Sequence, residues 1–274
     1  MAKQVFNIVQ TDWGIGDIIC SLYGVQSLAL LYPESEIVLY MRNQFQWVAL
    51  ADIPQLRMAR YKEYRHIPNA VYLHQKQDDK HMHSPKRLYA SKLNVEPVRP
   101  KIKAEIIKSE PVFKDKYIVL SPFASQNNRT WATKNWKVIA EQLSGEGYRV
   151  IALDAALTKE RCKEIGVEYF CGMTAAWTAN VCSNAALLIG NDSGMAHLGG
   201  WIGVKTLVIM SQLLPEQFYD MTGNRFVIPN QKCTGCRFNH SLGYEADCNN
   251  ECWVLQTAKT ETVFNKAMEW INEN

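Results

Sequence analysis

Residues 185–210 read AALLIGNDSGMAHLGGWIGVKTLVIM, and the punctuation of this stretch decides the fold. The apolar run 185–189 has the length of a strand. Gly190-Asn191-Asp192-Ser193-Gly194 breaks it, and Met195, Leu198 and Ile202 then recur at helical spacing. A second apolar run follows at 206–210. Strand, tight turn, helix and strand make the βαβ unit of a parallel sheet, whose ligands lie outside the carboxyl ends of the strands. The turn offers Ser193 as N-cap, Gly194 where a ligand can approach the backbone, and free N–H groups at a helix N-terminus. Such an end favours a phosphate or diphosphate. Asp192 and His197 flank it, and each also has a plain structural reading, as a cap and as a satisfied helix residue.

The same alternation extends outward from this stretch. A strand at 5–9 runs into Thr11-Asp12-Trp13-Gly14-Ile15-Gly16-Asp17. A helix follows, carrying Ile18, Ile19, Leu22, Val25 and Leu28 until Pro33 stops it. Strands at 37–40, 56–59 and 71–73 alternate with helical stretches at 45–51 and 86–94, so the first half reads as α/β with its strands in sequence order. From Glu96-Pro97-Val98-Arg99-Pro100 to Glu110-Pro111 the composition is that of a linker. A boundary near 105–113 gives domains 1–108 and 109–274. The second half restarts with a strand at 117–120, a polar loop at 121–130 and a helix at 133–144 that Gly145 and Gly147 end. Segments at 150–153, 158–165, 168–171 and 175–183 carry the pattern on, and a helix at 260–270 closes it. Two consecutive α/β sheets with a cleft between them are expected.

The 274 residues suffice for one large or two small domains, and 47% hydrophobic with 21% charged residues is ordinary for a soluble protein. A net charge of +3 does not imply a nucleic-acid partner, and none is expected. Between Lys80 and Lys116 ten Lys or Arg stand against four Asp or Glu. That patch is either a solvated face or a surface turned to an anionic acceptor. Met1-Ala2-Lys3-Gln4-Val5 leads directly into the first strand, so no signal peptide is expected, and no apolar run approaches spanning length. Eight cysteines then point to reduced thiols and a cytoplasmic protein.

Four constellations carry chemistry. In the loop 12–17 two glycines precede Asp17, which falls in the first turn of a helix where the dipole alone favours a carboxylate. The dinucleotide fingerprint's third glycine is missing. The loop Ser121-Pro122-Phe123-Ala124-Ser125-Gln126-Asn127-Asn128-Arg129-Thr130-Trp131 lies at a strand's carboxyl end and holds hydroxyls and one fixed cation, Arg129. Those groups suit a leaving diphosphate. Trp131 and Trp136 read as packing anchors. Third is the opening turn, with Asp154 and Met173 following the two preceding strands as wall residues near a base or ribose; Met173 reads equally well as core. Fourth, Cys233-x2-Cys236-x11-Cys248-x3-Cys252 has metal-ligand spacing. Four thiolates satisfy a tetrahedral ion, zinc by default and iron as the alternative. Cys20, Cys162, Cys171 and Cys182 read as small core residues, and His81 and His83, near Asp78 and Asp79, as polar loop groups.

The D-S-G-x-x-H spacing of Asp192, Ser193, Gly194 and His197 resembles the signature of the heptosyltransferases, inverting glycosyltransferases that use nucleotide-activated sugars. The likeness is best from Tyr117 to Cys252 and at Gly16-Asp17. It implies two Rossmann-like domains facing across a cleft, the B-type glycosyltransferase fold. The shorter first domain would present the acceptor together with Asp17 as general base (Asp12 in reserve). The second would hold an ADP-heptose-like donor through Ser121, Ser125, Arg129, Asp154, Met173, Asp192, Ser193, Gly194 and His197, with Gly16 of the first domain as a further binding residue. Arg129 stands where the family usually has Lys, and Ala132 where it has Pro. The resemblance implies no catalytic metal, since Arg129 and the helix N-terminus take the charge role. One branch of the family, which modifies bacterial autotransporter proteins, carries an iron-binding cysteine finger of similar form. The acceptor would be a saccharide or a protein hydroxyl, with room for peripheral membrane contact and for a homo-oligomer. Two alternatives stand beside this reading: an NAD-dependent or other Rossmann nucleotide enzyme, and a non-catalytic binding or assembly protein that keeps the fold.

Overall fold

The computed structural model describes residues 4–12, 14–62, 66–74, 84–210, 213–215, 223–231, 234–235 and 252–273. The chain divides into two units, Met1–Ile106 and Ile107–Asn274.

In the first unit β1 (Val5–Gln10), β2 (Glu36–Met41), β3 (Leu56–Arg60) and β4 (Ala70–Leu73) form one sheet in the order β3-β2-β1-β4. Every pairing is parallel. The strands are therefore not in sequence order, because β4 joins the far side of β1. Ile8 and Val9 of β1 are wholly buried, as a central parallel strand flanked on both sides must be. Helix α1 (Ile15–Leu31) follows β1 and is buried continuously from Ile18 to Ala29, so it is covered on all sides, with the Ser21 and Ser27 hydroxyls satisfied by the Ile18 and Tyr23 carbonyls. The short α2 (Phe45–Val48) and α3 (Pro85–Lys92) complete the unit. Helix α3 crosses α1 so closely that a Cβ on Gly24 would lie 2.9 Å from Leu93 Cδ1 and 3.1 Å from Ala90 Cα. The stretch expected to be a linker contains a bridge, Ala51 to Ile102, and a short helix α4 (Ala104–Ile107).

The second unit holds β5 (Tyr117–Ser121), β6 (Arg149–Asp154), β7 (Glu168–Cys171), β8 (Leu187–Asn191), β9 (Thr206–Ile209) and β10 (Asn224–Val227). Their order is β10-β9-β8-β5-β6-β7, all parallel. Counted from β5 this is the Rossmann order, third, second, first, fourth, fifth, sixth. Its topological switch point lies between β5 and β8. Helices α5 (Thr133–Gly145), α6 (Lys159–Ile165), α7 (Ala175–Ser183) and α8 (Gly194–Ile202) connect the strands, and α9 (Trp253–Gln256) and α10 (Thr260–Asn272) end the unit. Trp131 and Trp136 are fully buried, edge to face at 5.3 Å, and anchor the start of α5 in the core as expected.

Two local expectations change. Strand β8 runs through Gly190 to Asn191, where a break was expected. A Cβ on Gly190 would sit 3.3 Å from the Ser121 carbonyl, so the glycine permits the β5–β8 contact and does not interrupt the strand. In α8 the face expected from Met195, Leu198 and Ile202 is buried only at Leu198. Ala196, Gly199 and Gly200 are buried as well, and this face of small residues lets the helix lie close to the sheet. A Cβ on Gly199 would meet Thr206 Oγ1 at 2.3 Å and Leu188 Cδ2 at 2.8 Å. Gly199→Ala is therefore expected to destabilise the protein by about 1–3 kcal/mol, read as a fall in Tm of roughly 2–4 °C per kcal/mol. An unchanged Tm would mean that the helix can shift at no cost.

Candidate donor and acceptor sites

In the second unit the chain leaves β5 and β8 side by side at the switch point, with Ser121 paired to Gly190. Asn191, fully buried at the end of β8, ties the two exits together. Its Nδ2 donates to the Pro122 carbonyl at 2.6 Å, and its Oδ1 accepts from the Trp131 N–H at 3.2 Å. Gln256 of α9 grips the same loop, accepting from Ala132 N–H at 3.0 Å and donating to the Thr130 carbonyl at 3.2 Å. Inside the loop Thr130 Oγ1 accepts from Ala124 N–H and donates to the Gln126 carbonyl, both at 3.2 Å. Loop 122–132 is thus clamped to the sheet and to α9.

Arg129 ends a 3₁₀ turn, Asn127–Arg129, in this loop. Its Nη1 donates to the Asp192 carbonyl at 3.3 Å and its Nη2 to Ser125 Oγ at 3.1 Å. The guanidinium therefore links the β5 exit to the β8 exit, and these bonds go to neutral oxygens, which leaves its charge for another partner. Ser193 is the N-cap residue of α8, as expected, but its side chain makes no capping hydrogen bond. Its hydroxyl, the Ser121 hydroxyl and Arg129 Nε are buried atoms without a hydrogen-bond partner among the described residues. Buried polar atoms are nearly always satisfied, so three such atoms around one switch point mark a place for a polar ligand. Asp192 and His197 are buried beside them.

Asp154, at the end of β6, is placed otherwise than as a wall residue alone. Its Oδ2 accepts from Phe123 N–H at 3.0 Å and its Oδ1 from Ala155 N–H at 2.7 Å, so it holds the start of the Arg129 loop. Burial pushes this carboxyl up to about 6, against those N–H bonds, the Thr158 hydroxyl and the Arg161 charge. From about pH 4 to pH 6 the folded state then keeps a proton that the unfolded chain has released, so stability falls as pH rises through that window. The difference is on the order of 3 kcal/mol. Thermal melts at pH 4, 5 and 6 are expected to show this slope, and Asp154→Asn to remove it; a variant with the wild-type slope would contradict the assignment. Met173, after β7, is 38% exposed, which rules out its reading as core. Cys20, Cys162 and Cys182 are buried and Cys171 half-buried, all as free thiols.

In the first unit α1 begins at Ile15 with Gly14 as its N-cap, so Gly16 and Asp17 belong to its first turn. A Cβ on Gly14 would lie 2.7 Å from Asp17 Oδ2, and the glycine leaves that carboxylate its place. Gln10 fixes the backbone on both sides: its Nε2 donates to the Asp17 carbonyl at 3.3 Å and its Oε1 accepts from Asp12 N–H at 3.2 Å. The Tyr89 hydroxyl stands between the two carboxylates, 2.8 Å from Asp12 Oδ2 and 3.2 Å from Asp17 Oδ1. Sequence reasoning missed Tyr89, Asn191 and Gln256. Of these, only Asn191, in the opening turn, stood where a signal existed.

Cys233, Cys236 and Cys248 lie outside the described residues, as do His81 and His83. Cys252 is buried directly before α9. Among the described residues no group of three or more His, Cys, Asp or Glu could hold a metal ion. No helix among them is long and apolar enough to cross a membrane.

A Rossmann-ordered sheet with a cation and buried hydroxyls at its switch point defines a nucleotide-binding unit. The particular class follows from comparison. The family model of glycosyltransferase family 9 (heptosyltransferase) matches residues 39–237, and the chain belongs to that family. It is accordingly a glycosyltransferase that draws on a nucleotide-sugar donor, which sets aside the NAD-dependent and non-catalytic alternatives. Among solved structures it is similar to the iron-containing dodecameric glycosyltransferase TibC from enterotoxigenic E. coli H10407. That match has 17% identity and a TM-score of 0.74, over 98% of this chain and 78% of that one. It is also similar to the E. coli ADP-heptose lipopolysaccharide heptosyltransferase II, at 11% identity and a TM-score of 0.74 over 98% of each chain. A third is the E. coli heptosyltransferase WaaC with ADP-2-deoxy-2-fluoro heptose, at 12% identity and a TM-score of 0.66 over 96% of this chain and 99% of that one. These likenesses bear out the expected α/β fold of two Rossmann-like domains. No curated protein matches the sequence.

Proposed function

We propose that the chain transfers a heptose-like sugar from an ADP-sugar to a hydroxyl acceptor with inversion at the anomeric carbon. The observation that carries this reading is the β5–β8 switch point, where Arg129 and the Ser121 and Ser193 hydroxyls meet the N-terminus of α8. In this reading the donor's diphosphate lies on Ser193, Gly194 and Arg129, with Asp192 and His197 at its flank. As the bond from the anomeric carbon to the diphosphate oxygen breaks, negative charge grows on the leaving ADP. The guanidinium and the N–H groups at the start of α8 stabilise it, so the role of a catalytic metal falls to the protein. Asp17 takes the proton of the acceptor hydroxyl while its oxygen forms the new bond on the opposite face. TibC in complex with ADP-D-β-D-heptose supports the choice of donor.

The four cysteines we assign to a structural zinc or iron, on the chemistry of four thiolates and on TibC being iron-containing. Bound there, the metal would stiffen the segment that leads from Cys252 into α9. Gln256 on that helix holds the Arg129 loop. Cysteines kept for a metal also fit a cytoplasmic protein.

The test is mass spectrometry of acceptor candidates, the protein itself included, after incubation with ADP-D-β-D-heptose and with other nucleotide sugars. Elemental analysis of the same sample reads the metal. Heptose transfer from the ADP-sugar alone is expected; transfer only from a uridine or guanosine diphosphate sugar would overturn the donor assignment.

A further inference from the structure

The Asp12–Asp17 loop has a partner that the transfer reaction as proposed does not use. Tyr89 is wholly buried on α3, the helix whose Ala90 and Leu93 lie against α1 at Gly24. One phenolic proton is shared between two carboxylate oxygens, at 2.8 Å from Asp12 and 3.2 Å from Asp17. Gln10, itself buried, bonds the backbone of the same two residues from the strand side. A carboxylate in the first turn of a helix is ordinarily free to rotate about its side-chain bonds. Here both aspartates are pinned twice, by Gln10 through the backbone and by Tyr89 through the carboxylates. Two negative groups brought this near would repel each other, and a hydroxyl donated between them offsets that repulsion.

We propose that Tyr89 is a positioning residue for the transfer reaction: its hydroxyl locks Asp12 and Asp17 into one unit that holds the Asp17 carboxylate oriented toward the acceptor hydroxyl. The proposal rests on the reading of Asp17 as general base. It assigns Asp12 a part of its own, as the carboxylate that anchors the Tyr89 hydroxyl.

The test uses the full chain as Tyr89→Phe, Asp12→Asn, Asp17→Asn and the double variants. It reads ADP release from ADP-D-β-D-heptose with water as acceptor, ADP affinity by calorimetry, Tm, and the ¹³Cγ resonances of selectively labelled aspartates. Tyr89→Phe keeps the ring in place and removes only the hydroxyl. It is expected to lower kcat by about 10- to 100-fold, as loss of orientation does, with donor KM, ADP affinity and Tm close to wild type. Both the Asp12 and Asp17 resonances should move. Added to Asp17→Asn it should cost nothing further, because a positioning residue has no effect once the group it positions is gone. Unmoved resonances, an unchanged kcat, or a loss that multiplies with that of Asp17→Asn would each overturn the proposal. If Tyr89→Phe melts early, the resonances of the folded fraction at low temperature decide the matter by the same criterion. Should Asp17→Asn keep wild-type kcat while Tyr89→Phe and Asp12→Asn are each impaired and non-additive, the base assignment fails. The clamp would then stand, acting through Asp12.

Discussion

Asp17→Asn is expected to lower kcat by about 10²- to 10⁴-fold, the range that one positioned general base supplies, while ADP binds as tightly as to the wild type. The amide keeps the size of the side chain and can still meet Tyr89, so the first turn of α1 has no reason to unfold. What it loses is the lone proton acceptor that the acceptor hydroxyl needs. ADP affinity should hold because the proposed donor groups, Ser121, Arg129, Ser193 and Gly194, all belong to the second unit, whereas Asp17 belongs to the first. Steady-state kinetics beside ADP titration separate the two effects. A variant with wild-type kcat would remove Asp17 from the mechanism, and one that loses ADP affinity would move it into donor binding.

Arg129→Ala carries the second large effect, an expected fall in kcat of about 10²- to 10³-fold, comparable to removing one strong donor from a site where charge develops. Here ADP affinity should fall too, because the diphosphate is charged before as well as after the bond breaks. Arg129→Lys should recover part of kcat. An ammonium keeps the charge but cannot reproduce the two bonds that Arg129 makes to the Asp192 carbonyl and to Ser125. The Ala variant also unlinks the β5 exit from the β8 exit, so its Tm belongs in the experiment. A loss of kcat with unchanged ADP affinity would place Arg129 on the sugar or the acceptor and not on the diphosphate.

The alternation of apolar runs with helical spacing was enough to read most strands of both sheets, and plainest for β5, β6, β8 and β9, which are buried in short, nearly continuous apolar segments. Strand order was not legible. Whether β4 adds beside β3 or crosses to β1 is a property of the folded sheet and not of any local pattern. Strand β10, Asn224–Val227, escaped notice: four residues opening on Asn and carrying Arg225 do not look like a strand. In the folded chain Arg225 sits at the sheet edge, 3.5 Å from Glu269 and ion-paired with Glu273 on the α10 side.

At the donor site the turn Asp192-Ser193-Gly194 and the cation Arg129 were readable because tight turns and lone cations in polar loops announce themselves. The supports of the site were not. Asn191 looked like part of a break, and only its hydrogen bonds in the folded chain show it as the clamp on Pro122 and Trp131. Tyr89 lies 77 residues from Asp12 and 72 from Asp17 in sequence, a distance across which no spacing rule reaches. Gln256 meets Ala132 across 124 residues for the same reason. Residues that touch the ligand follow local chemistry, while those that hold them in place are recruited from wherever the fold brings a buried donor or acceptor.

A crystal structure of the protein with ADP bears most directly on the central claim. The diphosphate is expected within hydrogen-bond distance of Ser193 Oγ, the Gly194 N–H and the Arg129 guanidinium, outside the carboxyl ends of β5 and β8. ADP bound anywhere else on the second unit, with Arg129 still turned to Ser125 and the Ser193 hydroxyl untouched, would contradict it.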